Sequence, residues 1–85
     1  MNIVQKLPFT QAYKKLYNLQ KLVVDQEIHK IYANPDIGTP IKQDLEGIYI
    51  HKFKINSQLY LLAYSFNPIT PKLSLLGVQK ILKLR

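Results

Sequence analysis

The sequence predicts a single α+β domain, spanning residues 1–85, in which an antiparallel β-sheet packs on an α-helical hairpin. Three observations predict this fold. Apolar residues recur with helical spacing over residues 9–32, and they alternate with a period of two over residues 48–78. The length of 85 residues also suits one domain. An N-terminal strand and a C-terminal three-strand meander would form the sheet, with both helices on one face.

The first strand is predicted at Asn2–Leu7 and is expected to end at Pro8, which cannot donate to a strand ladder. Two amphipathic helices follow. Thr10 is the candidate N-cap of the first helix. The second helix should stop near Ala33, because Pro35 disfavours helical backbone in the residue before it. A connection this short between two helices predicts that they run antiparallel.

The meander is predicted from the alternating segments that follow a loop at residues 34–47. Its strands are Ile48–Ile55, Gln58–Phe66 and Lys72–Val78, and the tail QKILKLR has helical character. A two-residue turn at positions 56–57 would pair the first two strands so that each presents two different faces. One face is aliphatic with two lysines, and we expect its aliphatic part to pack on the helices. The other face is aromatic, and we expect it to stay open.

The charge balance predicts an anionic partner. Twelve Lys and Arg residues against five Asp and Glu residues give a net charge of +7, which attracts polyanions. Nucleic acid is the first expectation and an acidic protein is the second. Eleven of the twelve cations are lysine and the only arginine is Arg85, so base readout by the arginine fork is not expected. A lysine-rich surface also serves simply to keep a protein soluble.

The composition excludes several classes of function. The chain has no cysteine, which excludes disulfides and thiolate chemistry and fits a reducing cytoplasm. No apolar run approaches the roughly 20 residues that cross a bilayer, and the first residues do not have the apolar core of a secretion signal. The spacing of His, Asp and Glu is not that of a metal site, and no cofactor is implied.

One segment carries a family resemblance. QDLEGIYIHKFKINSQLYLLAYSF, residues 43–66, holds a Leu-x-Gly turn, a basic strand and a Leu-x-Leu/Val-x-Tyr-like strand. With FTQAYKKL and IYANPDIG, it resembles the RelE/ParE superfamily of type II toxin–antitoxin toxins over about residues 1–78. The resemblance implies a cytoplasmic toxin held by an acidic antitoxin. It implies ribosome-dependent mRNA cleavage, as in the RelE and YoeB branches, or gyrase inhibition, as in the ParE branch; we expect cleavage.

The resemblance also implies a set of catalytic residues on the hairpin. Lys52 and Lys54 look like the family's basic residues on the strand after Leu-x-Gly. His51 falls where the YoeB branch has an arginine, and Asp44, which is also suited to a turn, falls where that branch has a glutamate. Gln58 stands where many members have an arginine that clamps the scissile phosphate. The predicted catalytic set is therefore these two lysines, His51 and Gln58.

Further residues are candidates for RNA binding. Lys14 and Lys15 on the first helix would guide the protein onto ribosomal RNA, although a solvated helix face needs no further explanation. Tyr49, Tyr60 and Tyr64 would stack on bases, or else pack across the strands. Lys52 and Lys54 could instead protect a sheet edge from pairing with other chains. His51 could instead be a buried or half-buried structural histidine.

The sequence after Gly77 departs from the family pattern. Members close to this chain continue with a Ser-His-Glu-Asn-Phe-Tyr-like segment, which supplies a histidine or tyrosine to the active site. Here Gly77 is followed by VQKILKLR, which contains neither residue. Loss of a general acid costs about 10²–10⁴-fold in rate. The alternative reading is therefore a weakened or non-catalytic toxin that keeps its antitoxin-binding surface.

Overall fold

A computed structural model describes residues 2–41 and 47–82 and confirms the α+β fold. In chain order the elements are β1 (Asn2–Gln5), α1 (Leu7–Lys14), α2 (Asn18–Ala33), a 3-10 turn (Pro35–Ile37), β2 (Thr39–Pro40), β3 (Ile48–Ile55), β4 (Gln58–Asn67) and β5 (Lys72–Lys80). The sheet order is β1-β5-β4-β3-β2, with β1 parallel to β5 and the other pairs antiparallel. The short strand β2 lies in the segment that the sequence predicted as loop.

The helices follow the predicted pattern except at the start of α1. The helix begins at Leu7 and includes Pro8 in its first turn, where a backbone N–H is not needed. The prediction of Thr10 as N-cap was therefore wrong, and its hydroxyl instead donates to the Leu7 carbonyl at 3.0 Å. The end of α2 at Ala33 agrees with the prediction from the proline that follows.

The β3–β4 hairpin has the predicted strands and register. Ile55 pairs with Gln58 across a two-residue turn. Asn56 and Ser57 have φ values of 50° and 69°, the left-handed conformation of a type I′ turn, whose twist matches that of the strands. β5 continues through Lys80, so the start of the predicted helical tail is strand. Residues 83–85 lie outside the described residues.

The sheet packs on α2 through its aromatic side, which corrects the expectation that this side is open. α2 contributes Val24, Glu27 and Ile31 to this contact, all of them buried. Aromatic side chains bury about 150–250 Å² each, so coverage of this side removes a large apolar area from water. We call it the helix face. Its residues on β3 and β4 are Tyr49, His51, Phe53, Ile55, Gln58, Tyr60, Leu62, Tyr64 and Phe66.

Tyrosine hydroxyls on the helix face have polar partners, which lets these side chains be buried. The Tyr60 hydroxyl accepts a hydrogen bond from Gln20 Nε2 on α2 at 3.0 Å. The Tyr64 hydroxyl accepts from the Gly38 backbone N–H at 3.0 Å and donates to the Pro35 carbonyl at 2.6 Å. Burial raises the pKa of Tyr64, so its phenol keeps the proton that this bond requires. The segment between α2 and β2 is thereby fastened to the core.

Candidate anion-binding face

The sheet side opposite α2, which we call the open face, carries the lysines that the sequence singled out. Lys52 and Lys54 lie on β3 two residues apart, and both are exposed. Residues at this spacing project from the same side of a strand about 7 Å apart. The rest of this face is half-buried or exposed and largely aliphatic. Its other residues on β3 and β4 are Ile48, Ile50, Leu59, Leu61, Ala63 and Ser65.

His51 is separated from the two lysines because it belongs to the helix face. Its Nε2 lies 2.6 Å from Glu27 Oε1, and Lys30 Nζ lies 3.0 Å from Glu27 Oε2. Burial favours a higher pKa for Glu27, but the hydrogen bonds from His51 and Lys30 outweigh it and hold the pKa below its ordinary value. This pairing ties β3 to α2. The structure therefore does not bring His51 together with Lys52 and Lys54.

Gln58 is also committed to a structural contact. Its Nε2 donates to the Ile81 carbonyl at 2.6 Å, which fastens the chain after β5 to the start of β4. Gln58 and Lys54 nevertheless line one small cavity at the hairpin end, together with Ser57. Of the predicted catalytic set, only the two lysines share the open face. By strand alternation His51 and Gln58 belong to the helix face, although Gln58 meets Lys54 in the cavity at the hairpin end.

The predicted base-stacking tyrosines lie in or against the core. Tyr60 and Tyr64 are 4% and 0% exposed, and Tyr49 is half-buried and stacks on Tyr64 with ring centroids 5.3 Å apart. Stacking of Tyr60 or Tyr64 on a base is incompatible with this burial, so the cross-strand packing alternative describes them. Lys14 and Lys15 are exposed at the end of α1, as a guiding surface requires. Asp44 lies outside the described residues.

The middle of the open face is neutral. A cleft of about 480 Å³ lies between α1 and the sheet and is lined by uncharged side chains, among them Ala12, Ile50, Leu61 and Ala63. The strands of the described chain place no His, Asp, Glu or Tyr on this face. The open face therefore offers positive charge and apolar surface, without an accompanying acid or base.

Sequence reasoning missed a second group of polar residues on the open face. Lys6, Lys72, Ser65, Ser74 and Asn67 line a cleft of about 370 Å³ at the end of the sheet away from the hairpin turn. The sequence did contain a signal for this group: polar residues occur two apart at positions 65 and 67 and again at 72 and 74, so each pair lies on one face of its strand. Only the pairing of Ser65 with Ser74 shows that the two sets meet.

Neither a metal centre nor a membrane span is found in the part of the chain that the structure describes. In residues 2–41 and 47–82, no three His, Asp or Glu side chains are grouped closely enough to hold a metal ion. Within the same residues no helix has the length and apolar character needed to cross a bilayer.

Comparisons with known proteins connect this architecture to a family. The model for the ParE-like toxin of type II bacterial toxin–antitoxin systems matches residues 3–80. A chain of the intact E. coli RelBE toxin–antitoxin complex is similar in fold, with 16% identity and a TM-score of 0.76, over 96% of this chain and 98% of that one. The isolated E. coli RelE toxin gives 16% identity and a TM-score of 0.78, over 98% and 86%. No curated protein matches the sequence significantly.

Proposed function

The chain belongs to the ParE-like toxin family of type II bacterial toxin–antitoxin systems, and from this membership we propose that it inhibits growth by cleaving mRNA on the ribosome. The observation that carries the proposal is the exposure of Lys52 and Lys54, side by side, on the open face. Two point charges on one strand suit successive phosphates of an RNA backbone, and they read no sequence.

The chemistry assigned to the two lysines is electrostatic. In the proposed reaction the ribose 2′-hydroxyl loses its proton to water as its oxygen bonds to the adjacent phosphorus. The bond from phosphorus to the 5′ oxygen breaks and that oxygen takes up a proton from water, which leaves a 2′,3′-cyclic phosphate and a 5′-hydroxyl. Negative charge on the non-bridging oxygens rises in the transition state, so fixed cations stabilise it more than the ground state. Lys52 and Lys54 would hold the phosphate and oppose this charge.

The proposed inhibitor is a cognate antitoxin with an acidic segment. The open face combines exposed lysines with half-buried aliphatic residues such as Ile50 and Leu61. A segment with acidic and apolar side chains would bury the aliphatic surface and neutralise the lysines at once. Burial of apolar area and charge complementarity would then act together to favour binding.

A second candidate is a toxin that binds its target without cutting it, either DNA gyrase or RNA. The observation that favours it is the neutral character of the open face between its lysines, where the described strands supply no proton donor or acceptor of the usual kinds. Without a general acid, cleavage would be slower by about 10²–10⁴-fold.

Expression in bacteria, with and without the neighbouring small reading frame, separates these candidates. Growth arrest with mapped cuts in mRNA supports the nuclease, and rescue by the neighbour's product supports the antitoxin assignment. Arrest with DNA damage and intact mRNA supports gyrase inhibition. Absence of arrest, with a stable complex to the neighbour's product, leaves an inactive binding module.

The site assignment is tested by Lys52→Ala plus Lys54→Ala. We expect this double variant to lose mRNA cutting while its melting temperature stays nearly unchanged, because both side chains are exposed. Lys21→Ala plus Lys80→Ala is the matched control, since it removes the same charge from α2 and from the end of β5 beside Tyr60. Equal cutting by the two double variants would refute a specific role for the β3 lysines.

A further inference from the structure

The second cleft on the open face is built from hydrogen-bond donors and cations. It is lined by Lys6, at the junction of β1 and α1, and by Lys72 at the start of β5. Both lysines are exposed and neither forms an ion pair within residues 2–41 and 47–82. No acidic side chain is among the lining residues. The cleft is therefore electropositive without a built-in counterion.

Ser74 supplies an unpaired hydroxyl at the base of this cleft. The residue is only 6% exposed, and its side chain makes no hydrogen bond to another described residue. Every fully buried polar side-chain atom in the described chain has a partner, so this hydroxyl must reach the cleft surface. Ser65 stands directly opposite it on β4. The hydroxyls of Ser65 and Ser74 can thus both donate to one anion in the cleft.

Asn67 and the N-terminal end of α1 also favour an anion in this cleft. The side-chain oxygen of Asn67 accepts from the backbone N–H groups of Ile69 and Thr70, at 2.9 and 3.4 Å, which leaves its amide nitrogen to donate. Lys6 is the N-cap residue of α1, whose first turn holds no acidic residue and whose cap has no side-chain hydrogen bond. The positive end of a helix dipole therefore faces this side.

Lysine ammonium groups, serine hydroxyls and an amide around one open cleft are the donors that bind phosphate. We propose that this cleft binds a backbone phosphate of single-stranded RNA and that the open face holds the strand at both ends. The inference rests on the proposed function, because it extends the Lys52–Lys54 surface to a second contact. Six residue steps along β4 lead from Leu59, opposite Lys54, to Ser65 in the second cleft, which is about 20 Å. The neutral cleft between them faces the intervening nucleotides.

Binding of labelled RNA tests the inference. Fluorescence anisotropy would give the Kd of a single-stranded dodecanucleotide, and of a dinucleotide too short to reach both ends. The variants are Lys6→Ala plus Lys72→Ala, with Lys21→Ala plus Lys80→Ala as the charge-matched control, because Lys21 lies on α2 and Lys80 pairs with Tyr60 of the helix face. Lys6→Arg plus Lys72→Arg retains the charge, and Ser74→Ala removes only the hydroxyl.

Salt dependence gives the expected magnitude. Each phosphate neutralised on a single strand contributes about 0.7 to the slope of log K against log salt, so loss of the one phosphate held by this cleft lowers the slope by about 0.7. Between about 50 and 200 mM salt, the loss of affinity should therefore differ by about 2.6-fold, which is four raised to the power 0.7. Ser74→Ala should weaken binding about tenfold. The control and the arginine variant should retain the wild-type slope. The Lys6/Lys72 variant should lose less affinity for the dinucleotide, which occupies only one end at a time, than for the dodecanucleotide.

The outcomes separate this inference from the proposed function. If Lys52→Ala plus Lys54→Ala weakens dodecanucleotide binding and Lys6→Ala plus Lys72→Ala matches its control, the proposed function stands and the second site is refuted. If neither variant differs from the control, or if wild type does not bind RNA, both fail.

Inorganic phosphate distinguishes RNA from a free anion as the source of the ligand. In an NMR titration, the amide signal of Ser74 should shift with phosphate in wild type and not in the Lys6/Lys72 variant. The RNA assignment would be overturned if phosphate shifts the Ser74 signal in wild type while the Lys6/Lys72 variant binds RNA as tightly as wild type. The cleft would then bind only a small anion.

Discussion

Gly38→Ala tests whether the Tyr64 hydroxyl anchors the chain between α2 and β3. A Cβ atom at residue 38 would lie 2.6 Å from the Tyr64 hydroxyl oxygen, 2.9 Å from its Cε1 and 3.1 Å from Tyr49 Cβ. The φ of Gly38 is −77°, so alanine meets no backbone strain there. Because the Tyr64 ring is fully buried, it cannot swing into solvent to make room. The substitution must therefore displace the ring and break its hydrogen bonds.

The cost follows from the contacts that are lost. Two hydrogen bonds, from Gly38 N–H to Tyr64 and from Tyr64 to the Pro35 carbonyl, contribute about 1 kcal/mol each. Displacement of a packed ring adds about 1–2 kcal/mol, and reduced freedom of the unfolded chain returns about 0.5 kcal/mol. The expected loss is about 3 kcal/mol. In a domain of this size that lowers Tm by about 12–24 °C.

A double-mutant cycle with Tyr64→Phe isolates this mechanism. Phenylalanine removes the hydroxyl but keeps the ring against Tyr49, so the hydrogen bonds are already absent and the closest steric partner is gone. Gly38→Ala should then cost only about 1 kcal/mol in the Tyr64→Phe background, a coupling of about 2 kcal/mol. Urea denaturation followed by circular dichroism gives the three differences in unfolding free energy. Equal cost of Gly38→Ala in both backgrounds would refute the reasoning.

Two further predictions concern stability. Glu27→Gln should destabilise the protein by about 1–3 kcal/mol near pH 7, because it removes the charge that faces His51 and Lys30. Since the pKa of Glu27 is below its ordinary value of 4.5 in the folded state, the wild-type advantage should persist above that pH and vanish as pH falls through the folded pKa, as urea melts at several pH values would show. A gap that stays constant into acid would contradict this linkage. Ser57→Gly should stabilise by about 1 kcal/mol, because residue 57 has a φ of 69° that glycine adopts without cost; thermal melts would check it, and a lower Tm would contradict the turn assignment.

The strands and their register followed from the sequence because local signals specify them. The Asn56–Ser57 turn fixes which residues of β3 and β4 are paired, and alternation then fixes which side chains share a face. The choice of covered face was wrong for a physical reason. Both faces are apolar enough to pack on a helix, and the decision depends on whether tyrosine hydroxyls find partners. Those partners, on Gln20, Pro35 and Gly38, are distant in sequence.

The candidate site was predicted only in part for the same reason. Lys52 and Lys54 follow from alternation and net charge, and both are exposed. The partners of His51 and Gln58, which are Glu27 and the Ile81 carbonyl, lie 24 and 23 residues away. No periodicity of the sequence indicates such contacts. The second cleft was missed because it requires β1, β4 and β5 to be assembled before its lysines and serines meet.

The separation of His51 from Lys52 limits how one reaction centre can be assembled on β3. Adjacent residues in a strand project to opposite faces, so a centre on the open face can use positions 52 and 54 but not 51. Family position had suggested all three. The structure assigns His51 to the contact with α2, where it pairs with Glu27, which Lys30 holds in turn. The proposed binding of RNA and the attachment of α2 therefore depend on different faces of β3. Under the proposed function, a chain without a general acid would cut RNA more slowly but would still bind RNA and keep α2 attached to the sheet.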